Sequence, residues 1–276
     1  MKDFIKRIID WAVQKEIIWK VLDSTLLSFT RYLELARKRD KRVMSAKIQK
    51  YFPNLIVRRG PFKGMKYQET KSAPLLFAKL IGSYERELHP LIEELCQNDY
   101  TEVVNIGCAE GYYAVGFAIR IKSAKIYAFD IDEKAISSCK TLAAANQVAD
   151  RIVYGNFCDK ETLMKIPITQ KALIFCDCEG CEKDLFSKEV ADYFKNSDLL
   201  IEIHDSKDLC ISSTIRSNFK STHNIKVIES IDDIKKAKVY EYNEISDENL
   251  EMRKMLLGEY RPSIMEWFFI TPQKMM

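Results

Sequence analysis

The 276-residue sequence contains no run of the roughly 18 uncharged apolar residues needed to span a bilayer, so a transmembrane segment is not expected. A secretory leader is not expected either, because charges in the opening stretch M-K-D-F-I-K-R-I-I-D break each apolar step before it reaches leader length. Eight cysteines without a leader read as free thiols of a cytoplasmic protein. Internal repeats, low-complexity tracts and clear linkers are also missing. With 47% hydrophobic and 30% charged residues, the expectation is one main globular domain with a small appendage.

Excess charge is scarce overall, at a net +3, but it is concentrated locally. From Arg37 to Lys66, eleven lysines and arginines are opposed by Asp40 alone. Such a patch meets phosphate in RNA, in anionic lipid or in a phosphorylated substrate, or else is a solvated helix face; both readings stay open here.

What is present centres on Thr101 to Gly116, T-E-V-V-N-I-G-C-A-E-G-Y-Y-A-V-G. Val103, Val104 and Ile106 suit a buried parallel strand, and Gly107 and Gly111 let the backbone turn and approach a ligand closely. A helix follows from Tyr112, and its unpaired N–H groups favour an anionic or nucleotide-type ligand. The loop G-C-A-E-G is not the dinucleotide G-x-G-x-x-G. With Glu110 before the second glycine, it resembles the first motif of class I S-adenosylmethionine-dependent methyltransferases.

Ahead of this stretch, Phe4, Ile5, Ile8, Ile9, Ala12 and Val13 recur at helical spacing, so residues 1 to about 50 are expected to be helical and to end before Pro53. Trp11, Ile17, Ile18 and Trp19 pack on the main domain by default, and a membrane surface or a second subunit is the alternative. Residues 54–67 read as a hairpin or a pair of short strands flanking Gly60-Pro61. Residues 1–80 are thus an N-terminal helical and hairpin extension, and 81–276 the main domain. A helix opening in G-S-Y-E-R-E-L-H-P makes Tyr84 and Glu85, with His89, candidates for a substrate-facing wall.

From Thr101 strands and helices alternate, which implies an α/β fold: a Rossmann-like, doubly wound, mostly parallel seven-stranded sheet with an antiparallel last strand. The strands are expected near 101–106, 125–130, 151–154, 172–177, 199–203, 225–228 and 264–270, with one helix over 182–194. In such sheets ligands sit beyond the carboxyl ends of the strands. Those ends carry Asp130, then Asn156 with Phe157, then Asp177 and Glu179, then Glu202 and His204. Asp130, some twenty residues beyond the loop, is placed to accept ribose hydroxyls.

The segment D-C-E-G-C-E after strand four resembles the D-x-E-G-x-E of FkbM-like methyltransferases, and I-E-I-H resembles that family's E-x-H ending. This resemblance covers about Glu102 to Asp205. It implies S-adenosylmethionine as cofactor, held by Asn105, Gly107, Cys108, Ala109, Glu110, Gly111, Asp130, Ile131, Asn156, Phe157 and Asp177, with Ile131 against the adenine and Asn156 on its amino group. Asn105 departs from the pattern, since many methyltransferases carry an acid there. The Asp/Asn-Pro-Pro-aromatic segment of enzymes that methylate base amines is missing, as is a Pro-Cys nucleophile.

Hydroxyl methylation of a sugar or other polyhydroxylated small molecule is therefore expected. His204 is the candidate base, with Glu202, Asp177 and Glu179 orienting it or binding acceptor hydroxyls. Alternatively the same four residues hold a divalent metal that lowers the hydroxyl pKa. The second functional reading is an RNA 2'-O- or ring-methylating enzyme using the basic patch, and the third a cofactor-binding subunit without turnover. A homo-oligomer through the apolar extension is also open. Cys176, Cys178 and Cys181 lack a fourth zinc ligand at standard spacing and are expected to be packed thiols. Substrate choice is expected in the first hundred residues and in the insertion between Glu229 and Pro262.

Overall fold

The structure is a computed structural model that describes Trp11, residues 16–67 and residues 75–273. The predicted apolar positions Phe4 to Ile9, Ala12 and Val13, and the side chains of Ile17, Ile18 and Trp19, lie outside what is described. The chain divides into two compact units, 1–51 and 52–276. The first contains the helix Glu16–Tyr51, free of proline and glycine, which stops just before Pro53. Among the described residues no helix is long and apolar enough to cross a membrane.

The division falls thirty residues before the boundary expected near residue 80. The reason is packing: Phe52, Val57, Phe62 and Met65 are buried within the second unit. Phe62 sets its ring edge-on against Tyr112, Tyr113 and Phe117, and burying one such side chain contributes about 1.5–3 kcal/mol. The hairpin is reduced to a single antiparallel bridge, Ile56 to Lys66. A helix absent from the sequence reading, Leu76–Ile81, follows.

Seven strands form one sheet: β1 Glu102–Ile106, β2 Lys125–Phe129, β3 Ile152–Gly155, β4 Ala172–Cys176, β5 Asp198–Ile203, β6 His223–Glu229 and β7 Glu266–Pro272. Their order is β3-β2-β1-β4-β5-β7-β6. Neighbours from β3 through β5 pair in parallel, whereas β7 runs antiparallel to both β5 and β6. This is the Rossmann-like, doubly wound sheet expected. β1, β4 and β5 are buried along their whole length, and helices covering both faces account for their near-continuous apolar runs. The edge strand β6 instead alternates more nearly between covered and wet positions.

The expected helix over 182–194 is two short ones, Glu182–Leu185 and Lys188–Tyr193. Ser187 interrupts it: its hydroxyl accepts from Val190 N and caps the second helix, while Phe186 turns into the core. Between β6 and β7 the chain forms helices Asp233–Val239 and Leu250–Leu257, then returns across the ends of β4 and β5 carrying Arg261.

Candidate functional site

The strand order reverses between β1 and β4, so the crevice beyond their carboxyl ends is the topological switch point. Gly107 occupies it with φ of 74°, and a Cβ there would stand 1.7 Å from the Asp177 carbonyl oxygen. This glycine is required by the chain after β4 as much as by any ligand. Asp177 N in turn donates to Ile106 O at 2.9 Å, stitching the two loops together. Ala109, at φ 46°, is left-handed without being glycine, a strained conformation that concentrates at functional sites.

Asp130 ends β2 with both carboxylate oxygens on backbone amides, Oδ2 accepting from Ala109 N at 2.8 Å and Oδ1 from Asp132 N at 2.9 Å. The helix Glu133–Ala145 is capped instead by Asp132, which accepts from Lys134 N. Two large apolar side chains flank this acid in the open: Ile131 is 79% exposed and Phe157, beyond Asn156 and β3, 66%. Asn105, buried in β1, has neither amide atom hydrogen-bonded among the described residues. Cys108 is buried. Glu110 is held by side chains of the preceding segment. Its carboxylate meets Lys79 and accepts from Tyr67 OH at 3.2 Å; burial opposes its charge, but Lys79 outweighs that and keeps its pKa low.

A second crevice of about 300 Å³ opens where β4 and β5 end. It brings together Asp177, Glu179, Glu202, His204, Tyr84 and Glu85, the residues expected there. His89 is not among them: its Nε2 lies 3.0 Å from the Tyr84 carbonyl oxygen. His204 is the buried centre, with a side chain 5% exposed. Nδ1 lies 2.6 Å from Glu182 Oε1, on a glutamate with no exposure at all. Nε2 faces Asp177 Oδ1 at 3.5 Å, Glu179 Oε2 at 3.7 Å and Glu202 Oε2 at 3.9 Å.

The orienting partner of His204 is thus Glu182, not Glu202, Asp177 or Glu179. The signal for Glu182 was available, since it closes the D-C-E-G-C-E segment. Glu202 is held elsewhere: Arg261 pairs with its Oε1, with Glu85 Oε1 at 2.7 Å and with Glu259 Oε2 at 3.0 Å. Glu259 also pairs with the buried Lys236 and accepts from Glu85 N at 2.9 Å. Glu85 adopts φ 46° and accepts from Tyr113 OH. No sequence pattern marked Arg261, because its partners lie on β5 and on the segment before the helix His89–Leu95.

The electrostatics follow from this crowding. Burial, then the charges of Glu85 and Glu179, push Asp177 up to about 7. Burial works against a charged His204, but the hydrogen bond and charge of Glu182, joined by Asp177 and Glu179, outweigh it and raise its pKa.

The cysteines need a correction. Cys178 and Cys181 form a disulfide, and only Cys176 of the three is a packed thiol. Glu179 at φ 57° and Gly180 at φ 116° fold the chain back between them, bringing the two Cα atoms to 5.6 Å.

Glycine loop, strand-end acid and switch-point crevice together have the arrangement of a Rossmann-like domain. Residues 88–167, which span β1 to the helix after β3, match the family model described as methyltransferase small domain. The matched stretch is of the methyltransferase type, and the cofactor it supports is S-adenosylmethionine. Asp130, Ile131 and Phe157 fit that group, an acid beside exposed apolar surface at the end of β2 and β3.

No curated protein matches the sequence. Solved structures similar to it include a putative O-methyltransferase from Klebsiella pneumoniae, at 9% identity and TM-score 0.46 over 70% of this chain and 80% of that one. An rRNA methylase from Streptococcus thermophilus is similar at 13% and 0.46, over 68% and 98%. Precorrin-6y C5,15-methyltransferase from Geobacter metallireducens is similar at 12% and 0.44, over 66% and 84%.

Proposed function

We propose that the protein transfers methyl to a hydroxyl of a small, polyhydroxylated acceptor bound in the crevice at the ends of β4 and β5. The observation that carries this is the lining: Glu85, Asp177, Glu179, Glu202 and Glu259 face the crevice, and Arg261 is already shared among three of them. Carboxylates accept hydrogen bonds from hydroxyls and repel phosphates. The D-C-E-G-C-E and I-E-I-H segments support the same choice by their resemblance to FkbM-like enzymes.

When bound, S-adenosylmethionine supplies a methyl on a positively charged sulfur, which departs as a neutral thioether. The acceptor oxygen gains that methyl and must lose its proton. The cluster around His204 receives the hydroxyl, and its buried carboxylates favour the removal of the proton in the transition state. Glu182 keeps the imidazole in one orientation, and Arg261 keeps Glu85 and Glu202 apart. Asn105, with its buried amide, and Asp130 are assigned to the cofactor; Glu110 is withdrawn from that set because Lys79 and Tyr67 occupy it.

The RNA reading rests on the basic patch. Arg37 to Lys50 belong to the helix Glu16–Tyr51, whereas Arg58 and Arg59 both pair with Glu244 in the other unit, which weakens them as phosphate ligands.

Calorimetry with S-adenosylmethionine is the first test, wild type beside Asp130→Ala with both melting cooperatively. Binding by the wild type and its loss in the variant are expected. Labelled methyl should then pass to sugars or polyols and not to RNA, and His204→Ala should lower kcat by about 10²–10⁴. Transfer to RNA that disappears at high salt would replace this reading with the second one.

A further inference from the structure

We infer that Asp177, Glu179 and His204 form a divalent-cation site, and that the cation, not the imidazole itself, activates the acceptor hydroxyl. The inference rests on the proposed hydroxyl methylation and adds how the oxygen is made nucleophilic.

Three ligand atoms, Asp177 Oδ1, a Glu179 oxygen and His204 Nε2, lie within 4.8 Å of one another. Nε2 stands 3.5 Å from Asp177 Oδ1 and 3.7 Å from Glu179 Oε2, wider than hydrogen bonds. Two ligand atoms that each sit about 2.1 Å from one ion are separated by about 3.0–3.4 Å, so a closure of a few tenths of an ångström brings the two edges at Nε2 to coordination spacing, while the Asp177–Glu179 edge lies within 4.8 Å.

Independent observations point to a ligand at this place. Glu182 Oε1, fully buried, takes the Nδ1 proton of His204 at 2.6 Å, which leaves the lone pair of the neutral ring on Nε2. The His204 side chain is 5% exposed, and Nε2 makes no hydrogen bond among the described residues although it aims at two carboxylates. Asp177 Oδ1 is likewise enclosed and unpaired. Glu179 presents its carboxylate from a left-handed backbone. The same Glu182 oxygen accepts from Gly180 N at 3.1 Å, so one buried acid fixes both the imidazole and the loop that carries Glu179.

Glu202 is set apart from the three because Arg261 holds its Oε1. Its other oxygen, Oε2, 3.9 Å from Nε2, is left to take the hydroxyl proton. The hydroxyl binds the cation, loses its proton to Glu202, and its oxygen forms the new O–CH3 bond as the S–CH3 bond breaks with its electron pair on sulfur. Two carboxylates and one imidazole, with remaining positions for water and substrate, suit Mn²⁺ or Mg²⁺.

The test is calorimetric titration of the full-length, chelator-stripped protein with MnCl₂, without cofactor or acceptor. Wild type is compared with Glu179→Gln, whose side chain is 75% exposed, and with Glu189→Gln, a surface control 63% exposed, each checked for a wild-type cooperative melt. One saturable site is expected in the wild type and the control. It should weaken at least tenfold in Glu179→Gln, and about 10–100-fold in Glu182→Gln through the orienting contact. No saturable Mn²⁺ binding, or equal binding by Glu179→Gln and wild type, overturns the site. A parallel titration with S-adenosylmethionine in EDTA separates the two readings. Cofactor binding without Mn²⁺ binding leaves hydroxyl methylation with His204 as direct base, whereas loss of cofactor binding removes the methyltransferase reading itself.

Discussion

At Gly107 two demands fall on one residue, a left-handed turn and the Asp177 carbonyl directly above it. Gly64 has a similar conformation, φ 94°, but nothing lies within 4 Å of a Cβ built there. The pair separates strain from collision. Gly64→Ala should cost about the 1–2 kcal/mol of the left-handed conformation, and Gly107→Ala clearly more, by urea denaturation midpoints. At this scale the sequence was most informative where strands end. Asp177, Glu179, Glu202 and His204 could be assigned to one crevice because parallel strands present their carboxyl ends together. Glu110 and Glu182 show the limit of that reasoning. Spacing tells which turn an acid occupies, not which partner its side chain takes, and Lys79 holds one acid while His204 holds the other.

Among the elements, the edge strand β6 opens with a buried histidine. His223 Nε2 lies 3.3 Å from the Phe194 carbonyl oxygen and Nδ1 2.7 Å from Thr222 Oγ1. Burial lowers its pKa, with the Phe194 carbonyl opposing only in part. The unfolded chain therefore takes up a proton near pH 6.5 that the folded protein refuses until lower pH, and stability falls as pH drops through that window. His223→Gln should show a shallower fall than wild type between neutral pH and the region below 6.5. Denaturation midpoints measured at several pH values check this, and other titrating groups cancel because both proteins share them. Element types in the sheet were legible because apolar runs mark β1, β4 and β5. The break at Ser187 and the helix Leu76–Ile81 were not, since a buried Phe186 and packing against the core decided them.

For the molecule as a whole, the unit 52–276 contains the complete sheet, the glycine loop and both crevices. A chain beginning at Phe52 should therefore fold cooperatively and bind S-adenosylmethionine as tightly as the full-length protein. Thermal melting and calorimetry on the two chains test this, and weaker binding by the shorter chain would assign the helix Glu16–Tyr51 a part in the cofactor site. The sequence by itself determined the class of fold and the glycine loop and acid at the switch point. Strand periodicity, a glycine loop and an acid ending the second strand are local features, read over spans shorter than forty residues. The lining of the crevice at β4 and β5 was decided by tertiary structure. Arg261 reaches Glu202 and Glu85 only because β7 enters antiparallel between β5 and β6. Contacts between residues far apart in the chain depend on how elements pack, and local pattern carries no record of them.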